Sequence, residues 1–177
     1  TEVHKVLIGE SGAEKAEKHK NTLVQMNALA KILKNKRVEN GELDFDLAEP
    51  YFVVDENNEV VDIKKRERND AHKLIESFMI VAKKFHEAKV PFLYRIHEGP
   101  TKEKLENVIL FMKGLGITLP PPPKNIIPMY YAQVLKTIKN HPISETLNKV
   151  VLRSLQKARY LGDCLGHFGL ASEFYCH

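Results

Sequence analysis

The chain has no tryptophan, only two cysteines and no apolar run approaching the length of a membrane span, which takes about 20 residues. Two thiols, Cys164 and Cys176, exclude a disulfide scaffold and point to a reducing cytoplasm. Glycine and proline number nine each among 177 residues, which excludes a collagenous repeat or a low-complexity linker. No basic, then apolar, then small-residue leader pattern opens the chain. Neither charge sign dominates: 27 Lys and Arg face 23 Asp and Glu, a net charge of +4. Such a balance permits a nucleic-acid partner without requiring one. Three chemical signatures are also missing: the phosphate-cradling Gly-x-x-x-x-Gly-Lys-Ser/Thr loop, Gly-x-Gly-x-x-Gly and Gly-x-Ser-x-Gly.

What remains is an ordinary globular composition, 43% apolar and 28% charged. A chain of this length suits one domain that buries about 70% of its unfolded surface. Both ends have the character of interior segments. Val3, Val6 and Leu7 already keep helical spacing, and Phe174-Tyr175-Cys176-His177 closes the chain without a polar tail. Domain termini are usually loose and polar, so the expectation is a piece of a longer protein.

Periodicity assigns the elements. Leu23, Met26, Ala30 and Leu33 form one stripe of a helix expected over Ala13–Arg37, stopped by Asn40-Gly41. Leu43, Phe45 and Leu47 alternate with acids, the pattern of a half-buried strand, which Pro50 should break. Tyr51–Val54 and Glu59–Ile63 flank Asp55-Glu56-Asn57-Asn58, a hairpin signal. Leu74, Ile75, Phe78, Met79, Ala82 and Phe85 repeat with a 3.6 period. Asn69 or Asp70 can cap that helix, Val90-Pro91 ends it, and His72 and Glu76 share one of its faces. A short strand is expected over Phe92–His97, and a helix carrying Leu105, Val108, Ile109 and Met112, stopped by Gly114 and Gly116. Pro120–Pro123 is a stiff connector. Two further helices are expected near Tyr130–Lys139 and Ser144–Ala158, with Ser144 as N-cap, before a glycine-punctuated tail. The predicted class is α+β, mostly α-helical with a small antiparallel sheet or hairpin.

Composition alone supplies no catalytic constellation. Cys164-x-x-His167 with Cys176-His177 offers four potential zinc ligands, but adjacent side chains rarely converge on one ion. Lys34–Arg37 and Lys64-Lys65-Arg66 can touch phosphates, although solvated patches of this kind are common.

Several segments in order carry a resemblance. Arg66-Glu67-Arg68-Asn69-Asp70-Ala71-His72-Lys73-Leu74-Ile75-Glu76 and Tyr94-Arg95-Ile96-His97-Glu98-Gly99-Pro100 are two of them. Leu152–Tyr160, Gly166-His167-Phe168-Gly169-Leu170-Ala171 and Leu43–Leu47 complete the set. Together, across Thr1–His177, they resemble the RNase II/RNase R (RNB) exoribonucleases, and the RNase R type more than RNase II proper. The resemblance implies part of an RNB catalytic domain from a processive, hydrolytic 3′→5′ exoribonuclease. Such enzymes use magnesium or manganese, release nucleoside 5′-monophosphates and thread single-stranded RNA through a deep channel. The family's metal-binding Asp cluster, its downstream arginine segment and its flanking OB-type and S1 domains have no counterpart here. The expectation is therefore no catalytic residue and no metal ligand within Thr1–His177, no bound cofactor, RNA as partner and no membrane.

The resemblance also suggests roles. Phe45 matches the aromatic that stacks on the terminal base, a sequence-tolerant grip of about 1–3 kcal/mol, although a Phe at an alternating position is commonly core. Glu76 matches the carboxylate that contacts the ribose, where a 2′-hydroxyl separates RNA from DNA; pairing with His72 or Lys73 is the plainer role. Arg95, His97 and His167 lie in the matched segments, which suggests that they face phosphates or brace the channel; a buried, satisfied structural role suits each equally. The alternative is a catalytically silent RNA-binding or protein-interaction module on the same scaffold.

Overall fold

A computed structural model describes residues 1–45, 50–66, 68–84 and 93–176. Seven helices are described: α1 (Glu2–Ile8), α2 (Glu14–Glu17), α3 (Lys20–Glu39), α4 (Asp70–Lys84), α5 (Lys102–Gly114), α6 (Pro128–Ile138) and α7 (Ser144–Ser154). Four short strands, β1 (Pro50–Val54), β2 (Val60–Lys65), β3 (Tyr94–Ile96) and β4 (Arg159–Leu161), form two antiparallel pairs, β1–β2 and β3–β4. A 3₁₀ turn covers Phe168–Leu170. The α+β class, mostly helical with small antiparallel sheets, is therefore as expected.

The main core is helical. Met112 on α5, Tyr131 and Ile138 on α6, and Leu147 and Val151 on α7 have no exposed surface. Phe168 of the 3₁₀ turn packs edge-on against Tyr131, ring centroids 5.6 Å apart. Tyr131 also satisfies its hydroxyl with Ser154 Oγ at 3.0 Å, as a buried polar group must. Thr101 caps α5 by accepting from the Lys104 N–H.

A second layer is built by α1, α3 and α4, which pack on one another. It is thinly apolar, since α3 buries only Ala30 and Arg37 in twenty residues. The expected helix Ala13–Arg37 is interrupted at Lys18 and His19, because Ala13 and Ala16 are pulled into a small cluster with Val6. Asn69 caps α4 as expected: its Oδ1 accepts from the His72 N–H at 3.3 Å, and His72 Nδ1 accepts in return from the Asn69 N–H at 3.4 Å. This is a reciprocal cap with histidine in the usual place of Glu or Gln.

Three expectations are corrected. Leu43, Asp44 and Phe45 form no strand; Leu43 is buried and its N–H donates to the Gly169 carbonyl at 2.9 Å, so the segment is anchored to the 3₁₀ turn instead of pairing along a ladder. Asp46 and Leu47 lie outside the described residues. Pro50, expected to part that segment from the Tyr51–Val54 run, is the first residue of β1, opposite Lys65, a position where the missing N–H is tolerated. Ser144 is the first helical residue after an Ile143 cap, and α7 stops at Ser154 so that Arg159 can enter β4. Phe85 to Phe92, including Val90 and Pro91, lie outside the described residues.

The hairpin turns at Asp55, whose Oδ1 accepts from the N–H groups of Asn57 and Glu59 at 2.8 and 2.9 Å, while Asn58 takes φ 62°. Its large apolar side chains are exposed, Phe52 and Ile63 to 62% each. At the other end of α3, Gly41 takes φ +94°, and a Cβ there would sit 2.8 Å from the Met129 backbone nitrogen at the start of α6.

Candidate RNA-facing site

Two adjoining hollows are walled by α4. The larger, about 750 Å³, runs between α1, α3, α4 and the C-terminal segment, with a floor that includes Val3, Leu23, Leu74 and Ile80. Its rim carries His72, Glu76, Arg95, His167 and Tyr175. The smaller, about 220 Å³, lies between α3 and α4 and is lined by Lys31, Lys34, Arg37, Arg68, Lys73 and Glu76, among others. Glu76 thus stands on the ridge between the two.

The amphipathic pattern of α4 explains this placement. Ala71, Leu74, Ser77 and Ile80 point inward and are buried, so Glu76, on the flank, is held at the lip. Its carboxylate ion-pairs with Arg68, the residue before Asn69 in the cap. The paired carboxylate is the largest reason the Arg68 guanidinium holds its proton above the ordinary arginine range. Arg68 also reaches Asp44 at 3.6 Å. The plainer role for Glu76 pairs it with His72 or Lys73; its ion pair is with Arg68 instead, and Lys73 approaches Asp70 at 3.9 Å.

On the opposite wall, Arg95 of β3 lies over the ring of Tyr160, its cross-strand partner on β4, 5.3 Å from the centroid. Behind it His97 and His167 meet edge to face at 4.9 Å. Each clamps the 3₁₀ turn through Nδ1: His97 accepts from the Gly169 N–H at 3.1 Å and His167 from the Leu170 N–H at 3.2 Å. An imidazole accepting at Nδ1 is neutral. Burial lowers the His97 pKa, and the Arg95 charge lowers it further against a hydrogen bond to the Gln156 backbone. Burial, with His97 and Arg95 adding, takes His167 down to about 4.

The sequence-predicted residues are therefore divided. Glu76, Arg95 and His167 line one hollow, and His97 stands behind His167 without lining it. Phe45 is half-buried and packs against the main helical core. Sequence reasoning gave no role to Arg68 or Tyr160, and Arg37 entered only as the end of the Lys34–Arg37 run. Arg68 lies in the Arg66–Glu76 segment that carries the resemblance but precedes the helix, so no helical spacing ties it to Glu76. Arg37 sat in a basic run of solvated appearance, yet it is 5% exposed and donates through Nε to Glu42 at 2.9 Å.

Asp44 is occupied by Lys34 and Arg68, each at 3.6 Å, and among the described residues no group of three or more His, Cys, Asp or Glu is placed to hold an ion. For the zinc alternative, Cys164 Sγ donates to the Glu173 carbonyl at 3.2 Å, Cys176 is buried and in no disulfide, and His177 lies outside the described residues. Among the described residues, no helix is long and apolar enough to cross a membrane.

Comparison with known proteins closes the picture. The family model of the RNB domain matches residues 1–177. Ribonuclease R of Aquifex aeolicus is 38% identical over 160 residues, covering 88% of this chain and 23% of that protein. Ribonuclease R of Escherichia coli is 36% identical over 164 residues, covering 88% of this chain and 20% of that protein. The chain thus spans about a quarter or less of these relatives. The structure of Mycoplasma genitalium RNase R bound to ribose-methylated single-stranded RNA superposes with a TM-score of 0.91 at 29% identity, over 99% of this chain and 28% of that one. The same enzyme bound to double-stranded RNA gives 0.81 at 30% identity, over 89% and 29%.

Proposed function

The chain belongs to the RNB domain family, and on that premise we propose that Thr1–His177 is part of the catalytic domain of a processive, hydrolytic 3′→5′ exoribonuclease and lines its RNA path. The products are nucleoside 5′-monophosphates. The magnesium or manganese ions are held by carboxylates outside these residues, as is the arginine segment that neutralises charge on the phosphate. OB-type and S1 domains flank the catalytic domain, and the enzyme works in the reducing cytoplasm, which its two free thiols suit.

The observation that carries the reading is the convergence of Glu76, Arg95 and His167 on one hollow, from segments far apart in sequence. A carboxylate at the lip accepts a hydrogen bond from a 2′-hydroxyl. Arg95, stacked on Tyr160, offers a braced cation to a phosphate. His97 and His167 fix the turn beside it. Phe45, half-buried, keeps one side for the core and the other for a base. Support comes also from the RNase R relative, which has been seen with single-stranded and double-stranded RNA.

The test compares the protein as its gene encodes it with Thr1–His177 alone, each shown to be folded by circular dichroism. Both are incubated with 5′-labelled single-stranded RNA and magnesium or manganese. The gene-encoded protein is expected to shorten the RNA from its 3′ end and release mononucleotides, and the isolated chain to release none. Binding without degradation by the gene-encoded protein would instead favour the silent RNA-binding module. Metal-dependent release by the isolated chain would place an active site among Asp44, Asp46, Glu76 and the histidines.

A further inference from the structure

Arg37 is the most deeply buried cation assigned to either hollow, at 5% exposure. Its Nε donates to Glu42 and one Nη to Ser77 Oγ at 3.2 Å. The other, Nη1, is buried with no hydrogen-bond partner. A buried donor without an acceptor is costly, more so on a charged group. Arg37 lines the 220 Å³ pocket between α3 and α4; Nη1 itself is closed to solvent in this conformation, so an acceptor seated in the pocket meets it once the guanidinium turns outward.

The charge of the pocket points the same way. Lys31, Lys34, Arg37, Arg68 and Lys73 meet Glu42, Asp44, Asp70 and Glu76, which leaves one positive charge unmatched. Lys34 is shared between Glu42 and Asp44, Arg68 between Asp44 and Glu76, and Lys73 approaches Asp70. Lys31 is in no ion pair among the described residues. The volume falls below the about 300–1,000 Å³ of sites for whole small molecules, so one anionic group with part of its sugar is what fits.

We propose that this pocket seats a phosphate of the RNA backbone against Lys31 and Arg37, next to the ribose read by Glu76. The inference rests on the RNA-path reading above and adds to it a phosphate subsite reached across the Glu76 ridge. With the Arg37 guanidinium turned toward the pocket, a bound phosphate oxygen supplies the acceptor that Nη1 lacks, and Lys31 closes the open side.

Each phosphate contact adds about 0.7 to the slope of log K against log salt for single strands, which makes the contact countable. The gene-encoded protein, its Lys31→Gln and Arg37→Lys variants, and Lys113→Gln on the exposed side of α5 are titrated with a labelled RNA oligomer in EDTA across a KCl series. The melting temperature of each is also measured. Lys31→Gln is expected to keep the melting temperature and lose about 0.7 of slope, with several-fold weaker binding at low salt. Arg37→Lys retains the charge and is expected to keep the slope while binding RNA several-fold more weakly, because the ammonium lacks the second Nη; should it fail to fold, Lys31→Gln carries the test. Lys113→Gln should match the unaltered protein. A slope unchanged in Lys31→Gln, with the unaltered protein binding RNA normally, overturns the pocket and leaves the RNA path standing. No RNA binding by the unaltered protein overturns both. A parallel arm adds inorganic phosphate at fixed ionic strength; thermal protection that Lys31→Gln abolishes, without any change in its RNA slope, would assign the pocket to free phosphate and overturn the RNA assignment.

Discussion

Helices α3 and α6 invite comparison. The first is twenty residues long and buries two of them, one an arginine; the second is eleven long and buries five, among them Tyr131, Val134 and Ile138. Stability follows buried apolar surface at about 25 cal/mol per Å², so the α5–α6–α7 half holds the fold. The α3–α4 half contributes less and is left free to present polar walls. Local opening is cheaper where few apolar contacts are lost. The protein thus keeps its candidate RNA wall on the less stable side and fastens it to the stable side at a few points, Leu43 and the 3₁₀ turn among them.

The largest effect should come from the helical half. Leu147→Ala, at a fully buried position, is expected to cost about 2–5 kcal/mol in urea unfolding, with RNA affinity of the folded fraction unchanged. A loss below 1 kcal/mol would erase the contrast between the halves. Phe45→Ala bridges them. A half-buried ring packed on the core should cost clearly less than the about 3–5 kcal/mol of a fully buried Phe, and the final product of RNA digestion should change length. A full core-sized loss with an unaltered product ladder would assign Phe45 to the core alone.

Glu76→Ala belongs to the α4 wall. Hydrogen bonds to charged groups contribute about 1.5–3 kcal/mol, so the preference for RNA over a matched DNA oligomer at fixed salt should shrink by about tenfold or more. Melting should shift little, because the Arg68 pair it breaks is largely exposed. An unaltered RNA-to-DNA ratio removes Glu76 from sugar reading.

The histidine clamp sharpens the comparison through pH. His167 has its pKa lowered to about 4 by burial, and His97 is lowered too. The unfolded chain, with histidines near 6.5, therefore binds more protons than the folded one in the window from about 6.5 to 4. Stability contributed by the neutral rings is present above that window and is lost as pH falls through it. Replacing both residues, His97→Gln with His167→Gln, should flatten the dependence of melting temperature on pH there. A profile as steep as that of the unaltered protein would show that other groups set the acid limit. The smallest effect is expected on the hairpin: Phe52→Thr, 62% exposed, should fall within about 0.5 kcal/mol.

Local pattern made α4, α5 and the β1–β2 hairpin readable, because each is specified by its own periodicity and turn residues. Asn69 was readable as a cap for the same reason. What escaped was long-range. The Leu43 N–H finds its partner at Gly169, and Arg37 finds Ser77; no window of sequence contains both members. Leu43–Leu47 mimicked a strand since alternation reports which side chains face inward and not what the backbone pairs with. Glu76, Arg95, His97 and His167 are candidates through the family resemblance alone, since a carboxylate beside Lys or His on a helix has many ordinary uses. Arg37 was hidden by its neighbours Lys34 and Lys36, which made a buried guanidinium look like surface.

Gly41 is where a single hydrogen atom separates two helices. With the Met129 nitrogen 2.8 Å from where a Cβ would lie, and with φ at +94°, position 41 works as a shim of fixed thickness between the end of α3 and the start of α6. Four residues before it stands Arg37; one and two residues beyond Met129 stand Tyr130 and Tyr131. Any thicker residue would have to push the pocket wall and the helical core apart together, so the spacing of the one is inherited by the other. In a library of all replacements this site should tolerate almost nothing, while Gly9, with open space around it, has no neighbour to displace and should lose only the ease of its left-handed backbone.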